Sequence, residues 1–112
     1  MKLIGSAVEE QYRTELQEGA RYLLEEGGDP GVLDLLRREI GAVKSAYYLS
    51  GYELQDYRTC NLLVNGMIVC HIEISGKQIE VFDKISIPKY KMGLKRQGQI
   101  KLQVALDMSA SR

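Results

Sequence analysis

The sequence predicts an α+β domain: an antiparallel helix pair packed on a four-stranded antiparallel β-meander, with a C-terminal helix. Three observations carry this expectation. Apolar residues recur at helical spacing through residues 8–40, interrupted by Gly27-Gly28. Residues 57–74 hold two runs rich in Val, Ile and Leu around Asn65-Gly66, a pair suited to the two positive-φ positions of a type I′ turn. A final cluster of apolar residues fills 99–108. At 112 residues the chain is read as a single domain, 1–112, with one modest core.

Ser6-Ala-Val-Glu9 reads as a capping box that opens the first helix, with Ser6 as N-cap and Glu9 reaching back. Val8, Tyr12, Leu16, Ala20, Leu23 and Leu24 supply its apolar face, and Gly27-Gly28 ends it. Asp29-Pro30 starts the second helix, Asp as N-cap and Pro at the first helical position. Val32, Leu33, Leu35, Leu36 and Ile40 form its buried side, and Gly41 stops it. The loop is short, so the two helices are expected to pack against each other. Residues 42–50 read as the first strand and 51–56 as a loop.

The Asn65-Gly66 hairpin comes next, then a turn at Gly76-Lys77 into a strand over 78–85 that Ile87-Pro88 breaks. The last segment is ambiguous. Ile100, Leu102, Val104, Leu106 and Met108 alternate as in a strand, yet Gln, Lys, Leu, Ala and Met favour helix. The expectation is a helix, with a fifth strand as the alternative.

A two-residue turn at 65–66 pairs Val64 with Met67, and one at 76–77 aligns Ile74, Ile72 and Ile68 with Ile79, Val81 and Ile85. One face then holds Leu63, Ile68, Cys70, Ile72 and Ile74 and lies under the helices. The other carries an Arg58–Glu73 pair, Cys60 opposite His71, and an apolar group of Leu62, Val64, Met67 and Val69. Such a group, left uncovered, reads as a binding surface; the C-terminal segment or a second copy of the chain is the alternative cover.

Composition narrows the function. Apolar content of 45% and charged content of 27% fit a folded domain rather than a disordered one. The first ten residues hold no signal-peptide apolar region, and no run approaches the roughly 18 apolar residues of a membrane span. The expected location is therefore cytoplasmic, with no membrane partner; two reduced cysteines agree with it. The zero net charge hides a split, with 1–56 at −5 and 57–112 at +5. The basic excess peaks from Lys84 to Lys101, a stretch without acids that would suit an anionic partner. Neutral overall charge and a single aromatic in that stretch, Tyr90, weigh against nucleic acid.

No catalytic, cofactor-binding or metal-binding residues are expected. Cys60 and His71 lack a third orienting group and fall short of a zinc ligand set, so they read as a structural pair. Cys70 is expected on the opposite face from Cys60. The stretch Gly93-Leu-Lys-Arg-Gln-Gly98 lacks the G-K-[ST] ending of a phosphate loop. The carboxylates of the first helix, spaced among Arg13 and Arg21, read as a solvated face. What remains is a domain that works by binding.

The helix pair SAVEEQYRTELQEGARYLLEEGGDPGVLDLLRREIG, the hairpin NLLVNGMIVCHIEI and the tail GLKRQGQIKLQVAL together resemble, as an arrangement, the small bacterial immunity proteins of contact-dependent and other polymorphic toxin systems. The resemblance carries over no individual residue. It implies a non-enzymatic bacterial protein that neutralises a cognate toxin by occluding its active cleft. An acidic surface of Glu15, Glu18, Glu25, Glu26, Asp29 and Asp34 would meet a basic toxin cleft, with Leu62, Val64, Met67 and Val69 as a second, apolar contact. A module binding nucleic acid or another anion through residues 84–101, and a small homodimeric regulator, are the alternatives.

Overall fold

The computed structural model describes residues 6–111, with the side chain of Ser6 left out. The elements are α1 (Ser6–Leu24), α2 (Pro30–Ile40), β1 (Ala46–Leu54), β2 (Tyr57–Val64), β3 (Ile68–Ser75), β4 (Gln78–Ile85), α3 (Ile87–Met92) and α4 (Arg96–Ala110). The strands form one antiparallel sheet in the order β1-β2-β3-β4. This is the expected α+β meander with a C-terminal helix. The capping role assigned to Ser6 rests on a side chain outside the described residues.

The register differs from expectation by one residue. Asn65 and Gly66 do occupy the bend, at φ 56° and 66°, and the Met67 N–H donates to the Val64 carbonyl at 3.1 Å. Val64, however, pairs with Ile68, and Met67 is an extra residue outside the ladder. The shift puts Cys60, Leu62, Val64, Ile68, Cys70, Ile72 and Ile74 on one face, where the expected alignment divided those apolar residues between two. Burial of the whole set under one helix outweighs the tight two-residue closure, each fully buried aliphatic side chain contributing about 1.5–3 kcal/mol.

Two further bulges adjust the sheet. Ile74 pairs with Ile79 as expected, but Glu80 is then extra, so Ile72 meets Phe82 and Val69 meets Ile85. In β1 the ladder shifts at Leu49, between Tyr48 and Ser50. That strand begins later than the sequence suggests and runs through Gly51 to Leu54, leaving Gln55 and Asp56 as the turn. Gly51 reads as a loop residue in sequence, yet it is needed in the strand: a Cβ there would stand 2.4 Å from the Thr59 carbonyl oxygen.

Both faces of the sheet are covered. On one, Val32, Leu33, Leu35 and Leu36 of α2 pack on Leu62, Val64, Cys70 and Ile72. On the other, Leu16 and Ala20 of α1 and Leu102, Ala105 and Met108 of α4 pack on Tyr47, Leu63 and Val69. The linked α1 and α2 thus serve mainly different cores, with Leu23 of α1 reaching the α2 side. In α4 the buried Leu102, Ala105 and Met108 follow helical spacing, with Val104 widening the arc. This breadth is why its apolar residues also alternate in sequence. Ser86 caps α3, accepting from the Lys89 N–H at 3.3 Å.

Candidate functional site

The acidic residues divide by burial. Glu15, Glu18, Glu25, Glu26 and Asp34 are exposed, the first four along one side of α1 and the turn after it. Tyr22 stands among them, 48% exposed, its ring lying over Gly28, where no Cβ would fit. Lys101 approaches Glu15 at 3.8 Å; among the described residues no ion pair engages Glu18, Glu25 or Glu26.

Asp29 does not belong to this surface. It is buried, and its two carboxylate oxygens accept from both terminal nitrogens of Arg58 at 2.7 and 2.8 Å, with the Tyr48 hydroxyl at 3.4 Å. Although it occupies the N-cap position of α2, its side chain makes no capping bond. The hydrogen bonds from Arg58 raise that guanidinium's pKa above its ordinary value; burial first, then Asp29, push the Tyr48 phenol up.

The expected apolar patch is not assembled. Leu62 and Val64 are buried under α2, Val69 is buried on the opposite face, and only Met67, 76% exposed at the bend, reaches solvent. The one-residue shift accounts for this, since it sends neighbours across the turn to different layers.

The same shift separates Cys60 from His71. Cys60 faces Ile72 and lies on the α2 side together with Cys70, so the two cysteines share a face rather than opposing each other. Both are buried and free, and burial pushes each thiol up to about 11. His71 pairs across the strands with Asn61. Its Nδ1 lies 2.8 Å from Asn61 Oδ1 and its Nε2 2.7 Å from Glu73 Oε2. The two ring nitrogens are thus held between Asn61 and Glu73, each with its donor or acceptor role set by the tautomer. Glu73 pairs with His71 rather than with Arg58.

From this pair a polar array continues across the strands to α3. Tyr57 donates to Glu73 Oε1 at 3.0 Å, Asn61 Nδ2 donates to Ser50 Oγ at 2.9 Å, and Ser50 Oγ lies 3.3 Å from the Tyr90 hydroxyl of α3. The His71 and Tyr57 hydrogen bonds lower the Glu73 pKa, while burial and the Glu73 carboxylate push Tyr57 up to about 12. Sequence reasoning does not reach this array, because Asn61 and His71 share a rung only when Met67 stands outside the ladder. Tyr22 was missed for a simpler reason: nothing in helical spacing distinguishes an exposed tyrosine from a core one.

The cations of the basic stretch differ in their surroundings. Lys84 donates to the Glu39 carbonyl at 3.2 Å, whereas Lys89, Lys91, Lys95 and Arg96 are exposed around α3 and the start of α4. Among the described residues no group of three or more His, Cys, Asp or Glu side chains is placed to hold a metal ion, and no helix is long and apolar enough to cross a membrane.

The fold and these surfaces define a three-layer α+β domain with one acidic helix face. No protein-family model, curated protein or solved structure matches the chain.

Proposed function

We propose that this domain acts by binding another protein, as an immunity protein that neutralises a cognate bacterial toxin by covering its active cleft. The observation that carries the reading is the stripe of Glu18, Tyr22, Glu25 and Glu26: exposed, anionic, centred on an aromatic ring, and without an ion-pair partner among the described residues. Carboxylates of this kind steer a basic partner into contact, and an amphipathic tyrosine in their midst supplies the desolvated anchor that charge alone lacks. Glu15 continues the stripe along α1, Asp34 is exposed on α2, and Asp29 drops out because it serves the Arg58 ion pair. Inhibition is steric and requires no reaction by the chain. The raised thiol pKa values and the hydrogen-bonded imidazole support that view, since neither cysteine nor histidine is presented as a free nucleophile or base.

The test is to purify the product of the reading frame upstream of the gene and measure its association with this protein. A complex is expected, with an association rate about tenfold or more lower for Glu18→Lys/Glu25→Lys. Absence of a complex sinks the toxin reading. A complex that tolerates the charge reversal moves the contact off α1.

A further inference from the structure

Where α1, α3 and α4 converge, Arg13, Lys91 and Arg96 border a single cleft of about 250 Å³. Each comes from a different helix, and among the described residues no hydrogen bond or ion pair engages any of the three side chains. Two carboxylates share the lining, so cations outnumber acids by one: Asp107, which keeps its charge while accepting from the neutral Gln103 amide at 3.0 Å, lies eleven residues along α4 from Arg96, and Glu9 has a partner of its own. Ile100 and the buried Val104 give the cleft an apolar wall.

The walls are held in place before any ligand arrives. The Tyr12 hydroxyl donates to Gln97 Oε1, and the Lys101 ammonium stands 5.8 Å from the Tyr12 ring centroid while approaching Glu15. These contacts lock α1 against the first turns of α4. Lys95 and Arg96 also open a 15-residue helix whose first turn contains no acid, so like charge adds to the positive end of the helix dipole. A bound anion would relieve that repulsion.

The geometry points to this cleft as a binding site for the phosphoryl group of a small phosphorylated molecule, with the organic part against Ile100 and Val104. Two guanidinium forks and one ammonium match the several oxygens of a phosphate better than the two of a carboxylate. The size of the cleft favours a small molecule over a polynucleotide, which would track the outer basic surface. The site is independent of the proposed toxin contact: at 100° per residue, Arg13 lies across α1 from Glu18 and Tyr22.

The experiment follows backbone amide resonances of the intact protein during titration with phenyl phosphate, at a constant ionic strength of about 0.15 M. Saturable shifts are expected at residues 96–100, with inorganic phosphate moving the same amides at higher concentration. Arg96→Gln and Arg13→Gln should each weaken binding by about tenfold or more, and Lys77→Gln should leave it unchanged. All three side chains are exposed, and the amide spectrum reports whether each variant is folded; Lys91→Gln replaces either arginine variant that is not. Shifts that never saturate, or that matched sodium chloride reproduces, overturn the site. So does unchanged affinity in the arginine variants. Tighter binding of a ten-nucleotide single strand, with shifts spread from Lys84 to Lys95, overturns it in favour of a nucleic-acid surface.

Discussion

Asp29 and Arg58 form a two-pronged ion pair, 2.7 and 2.8 Å, that fastens the start of α2 to the second strand. The partners are unequally exposed: the Arg58 side chain is 36% accessible and that of Asp29 only 8%. Removing one member therefore differs from removing the other. Asp29→Ala leaves a guanidinium that turns to water, a loss of about 1 kcal/mol once solvent screening is counted. Arg58→Ala strands a carboxylate in the core, at about 3–5 kcal/mol. Urea unfolding of the two variants should rank them in that order; equal losses would show that Asp29 is rehydrated without its partner.

Asn65 links the hairpin bend to the segment before β1. Its Oδ1 accepts from the Lys44 and Ser45 N–H groups, its Nδ2 donates to the Ala42 carbonyl, and its own N–H donates to the Ser45 carbonyl. Its φ of 56° is one that glycine adopts freely and alanine resists. Asn65→Gly keeps the backbone and loses the carboxamide, for about 1–2 kcal/mol. Asn65→Ala adds backbone strain and should cost about 1 kcal/mol more. Thermal or urea melts of both variants check the ordering, and an Ala variant as stable as the Gly one would remove the backbone contribution.

Asn65 also shows how far the sequence could be read. The Asn-Gly pair located the bend, the Asp29-Pro30 pair located the start of α2, and helical spacing identified both N-terminal helices. These are local signals, fixed by a residue's own φ preference or by period. The register was not local. Whether Met67 closes the ladder or stands outside it depends on how seven apolar side chains pack beneath α2, a helix remote from the turn. Three differences at the candidate sites descend from that one residue: the Cys60–His71 pairing, the Arg58–Glu73 pairing and the exposed apolar patch. Asp29 was misplaced differently, since a capping sequence cannot reveal an arginine from β2 competing for the same carboxylate.

Glu73 makes stability depend on pH. Hydrogen bonds from His71 and Tyr57 lower its pKa in the folded chain. A depressed carboxylate binds protons more readily when unfolded, so its contribution is complete above the ordinary carboxylate range. It disappears as pH falls through the lowered folded value. The wild type should therefore melt above Glu73→Gln at neutral pH, and the two curves should converge as the pH is taken below the lowered folded value. A gap in melting temperature that persists unchanged at acid pH would show that the carboxylate's charge is not what the array uses.

The cysteines test the non-catalytic reading directly. Burial pushes both thiols up to about 11, so at neutral pH the reactive thiolate is scarcer than in an unfolded chain by roughly two orders of magnitude. Packing beneath α2 slows attack further, because a reagent must reach sulfur atoms that the helix covers. Native protein should alkylate with iodoacetamide at least about a hundredfold more slowly than protein in urea, with Cys60 and Cys70 alike. Mass spectrometry of partly labelled protein separates the two sites. Fast, selective labelling of Cys60 in the native state would mean that α2 opens to admit reagent, and a thiol exposed in that way would reinstate nucleophilic chemistry as a function of this face.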